Sequence, residues 1–300
     1  PAKLKILALA FLGGCVLGCG LVVGKDMADS SIRSVNQVEE VLGLPVLALV
    51  PRSKRRHLDK EPVLTADPAS HEAEAFRSLR TALSFLGQQK DFKTVLFTSA
   101  NPGEGKSYCS FNCAVALAHL GLRTLLIDAD LRRPTLTRAL LAGSKAPGLS
   151  ACLTGNASII DSCRATNTEN LFILGAGDRA SKPAELLAAG DLGGLLKEAM
   201  VHFDRVVIDS APINAVSDTQ LIAKEIESVC IVVRAGKTQR RAVVRACALL
   251  TRATHGPDAV VLNRVVRRHR DDYYFARYAS MYAKADAYRS FASEGSVDAY

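Results

Sequence analysis

The sequence predicts an α/β fold: a doubly wound, mostly parallel sheet, preceded by one transmembrane helix and followed by a tyrosine-rich flexible tail. Three observations carry this. Short runs of Leu, Val and Ile recur without polar alternation, as strands buried on both faces require. Helical patterns separate most of these runs, which is the rhythm of a parallel sheet with crossover helices. One run opens into a glycine-rich loop followed by a helix.

In chain order, Ile6 to Gly24 carries no charge, with Lys3 and Lys5 on one side and Lys25 on the other. Its nineteen residues span about 28 Å as a helix, close to the ~30 Å bilayer core. A signal peptide would have a shorter apolar region and open with Met, and a core helix would show a polar face. Gly14 and Gly18, and Gly20 and Gly24, stand in G-x-x-x-G, a spacing that allows close helix packing. The chain opens with Pro, so a longer protein is expected upstream. Residues 25–42 read as a polar helix and Gly43–Val50 as a strand ended by Pro51. Residues 51–70, with Pro62 and Pro68, read as a linker. Its basic run of Arg52, Lys54, Arg55, Arg56 and His57 suits anionic cytoplasmic lipid or plain solvation. Further strands are expected at Thr94–Thr98, Arg123–Ile127, Leu171–Leu174, Arg205–Ile208, Ser228–Val233 and Ala259–Leu262.

Composition removes several classes of function. With 48% hydrophobic and 23% charged residues, the chain is neither disordered nor collagen-like. The absence of Trp and only 6% aromatics argue against a base-stacking platform, so no nucleic acid partner is expected despite a net charge of +8. Cys15, Cys19, Cys109, Cys113, Cys152, Cys163, Cys230 and Cys247 form no C-x-x-C and no zinc spacing with His. They read as small buried thiols of a reducing compartment.

The chemistry centres on Ser99-Ala100-Asn101-Pro102-Gly103-Glu104-Gly105-Lys106-Ser107, between a strand and a helix. This is a P-loop in which Ala100 replaces the usual first Gly. Its glycines let backbone N–H groups approach phosphates at a helix N-terminus. Lys106 would reach the β- and γ-phosphates, and the Ser107 hydroxyl would bind Mg²⁺. Asp128 and Asp130 close one buried strand and Asp209 closes another. Ligands in such sheets bind beyond the strands' C-terminal ends, so the three carboxylates should converge on the loop. Asp209 is the natural metal-supporting residue, and Asp128 or Asp130 could accept a proton from an incoming hydroxyl. His269-Arg270-Asp271 imitates a eukaryotic kinase loop, but Ala276 stands where that loop has Asn, and no D-F-G follows.

Leu125 to Arg132 reads as aliphatics followed by D-x-D-x-R, and Glu74, Arg77 and Arg80 form E-x-x-R-x-x-R. With the loop above, Ala100 included, these motifs resemble the bacterial tyrosine kinase family, the P-loop NTPase-type autokinases of capsule and exopolysaccharide export. Ile32–Pro51 resembles the juncture with a chain-length-determinant membrane domain in fused members. The resemblance implies a transmembrane helix at 1–24, a juxtamembrane linker at 25–69, a kinase domain at 70–265 and a tail at 266–300. It implies ATP and Mg²⁺ as cofactors and Lys106, Asp128 and Asp130 as catalytic residues. Gly103, Glu104, Gly105, Lys106, Ser107, Tyr108, Arg132 and Asn263 would bind nucleotide. Ser107, Asp128 and Asp209 would organise the metal.

The resemblance also implies ring-like self-association through Glu74, Arg77 and Arg80, although their spacing alone equally describes a solvated helix face. Tyr273, Tyr274, Tyr278, Tyr282, Tyr288 and Tyr300 would be phosphoacceptors presented to a neighbour. Tyr274, Tyr278 and Tyr282 would otherwise form a helical stripe. The implied partners are the upstream membrane domain, the polysaccharide polymerase and export machinery, and a tyrosine phosphatase. The implied location is the inner membrane, with a cytoplasmic kinase domain. Two other functions stay open. One is a partition or cell-division ATPase, against which Asn101 stands where those proteins carry Lys. The other is a non-catalytic nucleotide-binding scaffold.

Overall fold

The computed structural model describes residues 2–52, 62–86, 93–144 and 146–266, and within the first helix only part of the side chains. The basic run at 54–57, His269–Asp271 and all six tail tyrosines lie outside the described residues.

Eight strands form one sheet: β1 (Val46–Pro51), β2 (Thr94–Ser99), β3 (Thr124–Asp128), β4 (Arg164–Ala165), β5 (Leu171–Leu174), β6 (Arg205–Asp209), β7 (Ser228–Arg234) and β8 (Ala259–Val265). Their order is β1-β8-β7-β2-β6-β3-β5-β4. Every pairing is parallel except that of β4 with β5. The absence of polar alternation has a direct cause. Leu96, Ile127, Ile208 and Ile231 face one layer of helices, with Val243, Ala246 and Leu250 in the same cluster. Val95, Phe97, Val207 and Val232 face the other, with Phe76, Leu79 and Ala114. The central strands β2, β3, β6 and β7 therefore bury both faces.

Several boundaries differ from the sequence expectation. The stretch 25–42 is not one helix. A first helix runs Ala2–Ala28, and a second, Val35–Leu42, starts at Ser34, whose side chain accepts from Gln37 N. That second helix buries Val35 and Val38 and ends at Gly43, whose φ of 64° caps it. Gly43 thus closes a helix rather than opening a strand, and β1 begins at Val46. The stretch 51–70 contains a short helix, Val63–Ala66, with Val63 and Leu64 buried. Val63 N donates to Asn112 Oδ1 at 3.1 Å, which ties this segment to the helix behind the P-loop. The two-residue β4 has no sequence signature.

Among the described residues, no helix is long and apolar enough to cross a membrane. In the helix Ala2–Ala28, Leu7, Leu9, Phe11, Leu12, Val16 and Leu17 are all at least 65% exposed, so none of them belongs to the domain core.

β1 buries Val46, Leu47, Ala48, Leu49 and Val50 beside β8, ahead of residue 70. Removing it takes five buried apolar side chains out of the core and uncovers the edge of β8, a loss comparable with the ~5–15 kcal/mol that holds a domain together. A fragment 70–266 should therefore aggregate or melt without cooperativity. A fragment 29–266 should give a single cooperative transition by circular dichroism.

Candidate active site

The C-terminal ends of β2, β6 and β3 lie side by side and carry the site. β2 ends at Ser99, and the chain turns through Ala100–Gly105 into the helix Lys106–Ala118. Gly103 and Gly105 have φ values of 78° and 100°, in the left-handed region. A Cβ on Gly105 would lie 2.0 Å from Asn263 Nδ2, so a side chain there would displace Asn263 from its bond to the loop, on a backbone that favours glycine. Ala100 is buried and is not among the positive-φ residues, so its methyl group is tolerated where the usual motif has Gly.

The loop is braced from inside. Glu104 accepts from Asn101 N at 3.0 Å, from Asn101 Nδ2 at 3.2 Å and from Thr238 Oγ1 at 2.7 Å. Asn263 Nδ2 donates to the Glu104 carbonyl at 2.8 Å, and Arg234 Nη1 donates to that of Gly103 at 3.3 Å. Glu104 is buried and its carboxylate is absorbed by the loop itself, while Asn263 both braces the loop and lines the cleft. Burial raises the Glu104 pKa against the pull of its donors. Thr238 was not legible as a site residue, because its partner lies 134 positions away.

Lys106 reaches into the carboxylates. Its Nζ is 3.0 Å from Asp130 Oδ2, 3.6 Å from Asp209 Oδ2 and 3.3 Å from Ser107 Oγ. Burial alone would lower its pKa, but Asp209, Asp130 and Asp128 together outweigh this and hold it above the ordinary lysine range. Asp128 and Asp209 are direct register partners on β3 and β6. Burial, and then the Asp209 charge, push Asp128 up to about 7. Burial likewise pushes Asp209 up to about 6, against Lys106. Asp128 Oδ2 accepts from Thr137 N and Oγ1, both at 2.8 Å. Asp130 Oδ1 accepts from Arg133 N at 2.9 Å.

Both oxygens of Asp209 and Oδ1 of Asp128 are buried without a hydrogen bond, and of these Asp209 Oδ2 has the Lys106 ammonium 3.6 Å away. Such orphaned oxygens are costly unless a cation meets them. Beside the Ser107 hydroxyl they suit a hard, oxygen-seeking ion such as Mg²⁺. No group of three or more metal-ligating side chains occurs among the described residues. Mg²⁺ bound with substrate phosphates needs only one or two carboxylates.

The cleft above the loop has a volume of about 830 Å³ and is walled by Gly103, Gly105, Lys106, Ser107, Tyr108, Asp130, Arg132 and Asn263, among others. Tyr108 Oη donates to Glu72 Oε1 at 2.6 Å on that wall. Arg132 grips Asp218 with two bonds of 2.7 and 2.9 Å. Asp218 is buried, and its place at a helix start concealed this role. Glu74, Arg77 and Arg80 lie elsewhere, on the helix His71–Leu86. Glu74 and Arg77 pair at 3.0 Å on the surface. Arg80 Nη1 donates to the Ala116 carbonyl at 3.3 Å, and burial lowers its pKa. Cys109, Cys113 and Cys230 are fully buried, and desolvation raises all three thiols, which leaves them inert packing groups.

A parallel sheet whose central strand feeds a glycine-bearing loop, a buried lysine and flanking strand-end carboxylates defines a P-loop nucleotide-binding protein. No protein-family model matches the chain. It is 33% identical over 195 residues to the tyrosine-protein kinase YwqD of Bacillus subtilis, covering 65% of this chain and 82% of that protein. It is 34% identical over 250 residues to the tyrosine-protein kinase Ptk of Acinetobacter johnsonii, covering 80% of this chain but 34% of that protein. The chain thus spans most of one relative and about a third of the other. The solved kinase domain of the Escherichia coli tyrosine kinase Etk superposes with a TM-score of 0.73 at 29% identity, covering 79% of this chain and 96% of the domain. The BceF tyrosine kinase domain gives 0.70 at 33% identity, over 78% and 99%. The chain belongs to the bacterial tyrosine-protein kinase family.

Two outcomes follow from the geometry. Thr238→Val should weaken ATP binding about tenfold by leaving Glu104 one donor short, and Thr238→Ser should restore it; the Kd from titration calorimetry checks both. Asp128 and Asp209 hold protons in the folded chain at pH values where the unfolded carboxyls, near 3.8, have lost them. Stability should therefore fall as pH rises from about 4 to 7. The metal-free protein should melt at a higher temperature at pH 5.5 than at pH 8, and Asp128→Asn should flatten the difference.

Proposed function

We propose that the chain is an ATP-dependent protein-tyrosine autokinase that phosphorylates its own tail and regulates the polymerisation, chain length and export of capsular or exopolysaccharide. The observation that supports this best is Lys106, buried at the P-loop between Asp130 and Asp209 in a kinase-family fold. The loop amides and Lys106 would hold the phosphates. Ser107, Asp209 and Asp128 would hold Mg²⁺, which when bound neutralises charge on the phosphates. Of the three carboxylates only Asp130 lines the cleft, so it is the one an acceptor hydroxyl could reach. When nucleotide draws Lys106 toward its phosphates, Asp130 loses its ion-pair partner and becomes a free base. The tyrosine oxygen then bonds to the γ-phosphorus, and the bond to the β,γ-bridging oxygen breaks. The electron pair leaves with ADP, and the phenolic proton passes to Asp130.

Residues 1–24 are proposed as the transmembrane helix, from the uncharged run Ile6–Gly24. This anchors the kinase domain on the cytoplasmic face of the inner membrane, beside a chain-length-determinant domain. Glu74, Arg77 and Arg80 are proposed to join copies into a ring. Accumulated tail phosphates, each adding about −1.5 to −2 charges, would loosen it until a phosphatase removes them.

With Mg²⁺ and ATP, residues 29–300 should acquire phosphotyrosine within 273–300 by mass spectrometry, and Lys106→Met should abolish it. Asp130→Asn should lower kcat by about 10²–10⁴ while ATP still binds. ATP hydrolysis without phosphotyrosine would overturn the kinase reading for this chain.

A further inference from the structure

A second cleft of about 560 Å³ opens beside the first, lined by Leu131, Arg132, Arg133, Arg179, Ser181 and Pro183. It lies between the loop after β3 and the loop after β5. Arg132 is neutralised by Asp218. Arg133 and Arg179 are exposed, and among the described residues neither side chain makes an ion pair or hydrogen bond. Asp178, adjacent in the chain, does not pair with Arg179. Two uncompensated guanidinium groups therefore border this cleft, a standing preference for a carboxylate or phosphate.

The strand order says which group belongs there. Along the C-terminal edge of the sheet stand Asn263 on β8, the P-loop after β2, Asp209 on β6, Asp130 after β3 and Arg179 after β5. Phosphates occupy the P-loop position. The Asn263 side leaves the remainder of the nucleotide its place, so an acceptor must approach from the other side of Asp130. Arg133 and Arg179 border that approach.

The tail supplies a matching pattern. Residues 266–300 contain four aspartates, Asp271, Asp272, Asp286 and Asp298. Each stands two positions before a tyrosine: Tyr273, Tyr274, Tyr288 and Tyr300 respectively. Tyr278 and Tyr282 have Ala276 and Ser280 there instead. In an extended segment, residues two apart point to the same side, about 7 Å from each other. One carboxylate can then lie in the arginine cleft while the tyrosine reaches the neighbouring nucleotide cleft.

The geometry points to Arg133 and Arg179 as an acceptor subsite that reads the aspartate two residues before the phosphorylated tyrosine of a tail. This rests on the autokinase reading and adds a selection rule to it. Tyr273, Tyr274, Tyr288 and Tyr300 are the preferred acceptors, and Tyr278 and Tyr282 are not.

The test uses the full chain, Mg²⁺, ATP and synthetic peptides spanning residues 291–300 with Asp, Asn or Lys at position 298. The Asp peptide should have a KM about tenfold below that of the Asn peptide, with similar kcat. Arg179→Glu should erase that advantage, improve the Lys peptide and leave the KM for ATP unchanged. Peptide binding by fluorescence anisotropy should follow the same order in the presence of a non-hydrolysable ATP analogue. Early phosphosite mapping of the chain itself should find Tyr278 and Tyr282 last. Equal KM values for the Asp and Asn peptides, or an Arg179→Glu effect that ignores residue 298, would overturn the subsite alone. No phosphotyrosine on any peptide or on the tail, with ATP still bound, would overturn the kinase reading itself.

Discussion

Removing water from one lysine and three carboxylates organises this site. Lys106 on its own would lose its proton more readily when buried, and Asp128 and Asp209 on their own would keep theirs. Together, the carboxylates keep Lys106 charged, while burial still pushes Asp128 up to about 7 and Asp209 up to about 6 against the pull of the lysine. The sheet creates the cluster, because β3 and β6 run in register and end on Asp128 and Asp209. The P-loop then places Lys106 beside them, at the first residue of its helix. The cluster is incomplete by construction: one ammonium faces more negative charge than it can balance, and three buried oxygens make no hydrogen bond. That imbalance is what a cation and a polyphosphate together would correct.

The loop that carries Lys106 owes its shape to distant residues. Glu104 turns inward because Asn101 and Thr238 offer it donors, and Gly105 is Gly because Asn263 comes within contact distance of it. Gly103, Glu104 and Gly105 are thus tied to β7, β8 or the turn after β7. The bonds from Thr238 and Asn263, 2.7 and 2.8 Å long, are buried, which is how a glycine-bearing loop keeps one conformation without its ligand.

Much of this was legible in the sequence for a simple physical reason. Strands buried on both faces must be continuously apolar, so seven of the eight strands announced themselves. Carboxylates at the ends of such runs were equally visible, because a charge directly after a buried strand needs a purpose. What escaped depends on pairs distant in sequence. Glu104 looked like a phosphate-loop residue, and only its fold-mates show its carboxylate occupied inside the loop. Asp218 and Thr238 carry no motif that marks them, because their partners lie 86 and 134 positions away. Residues 25–42 looked like one helix because the pattern cannot show where Gly43 and Ser34 cap the second one. The segment 62–66 looked like linker because four residues are too few to display a period.

The position of β1 has a further consequence, for biosynthesis. Among the described residues β1 pairs only with β8, Val46 lying opposite Val260. A ribosome adding about 5–20 residues per second needs roughly 10–40 s to travel between those two positions. Through that interval β1 is an apolar strand without a neighbour, and Asn263, the brace for Gly105, has not been made. Neither the sheet nor its nucleotide loop can be finished on the nascent chain. The domain closes only after its last strand emerges, so newly made copies depend on reaching residue 265 before their first strand finds another partner.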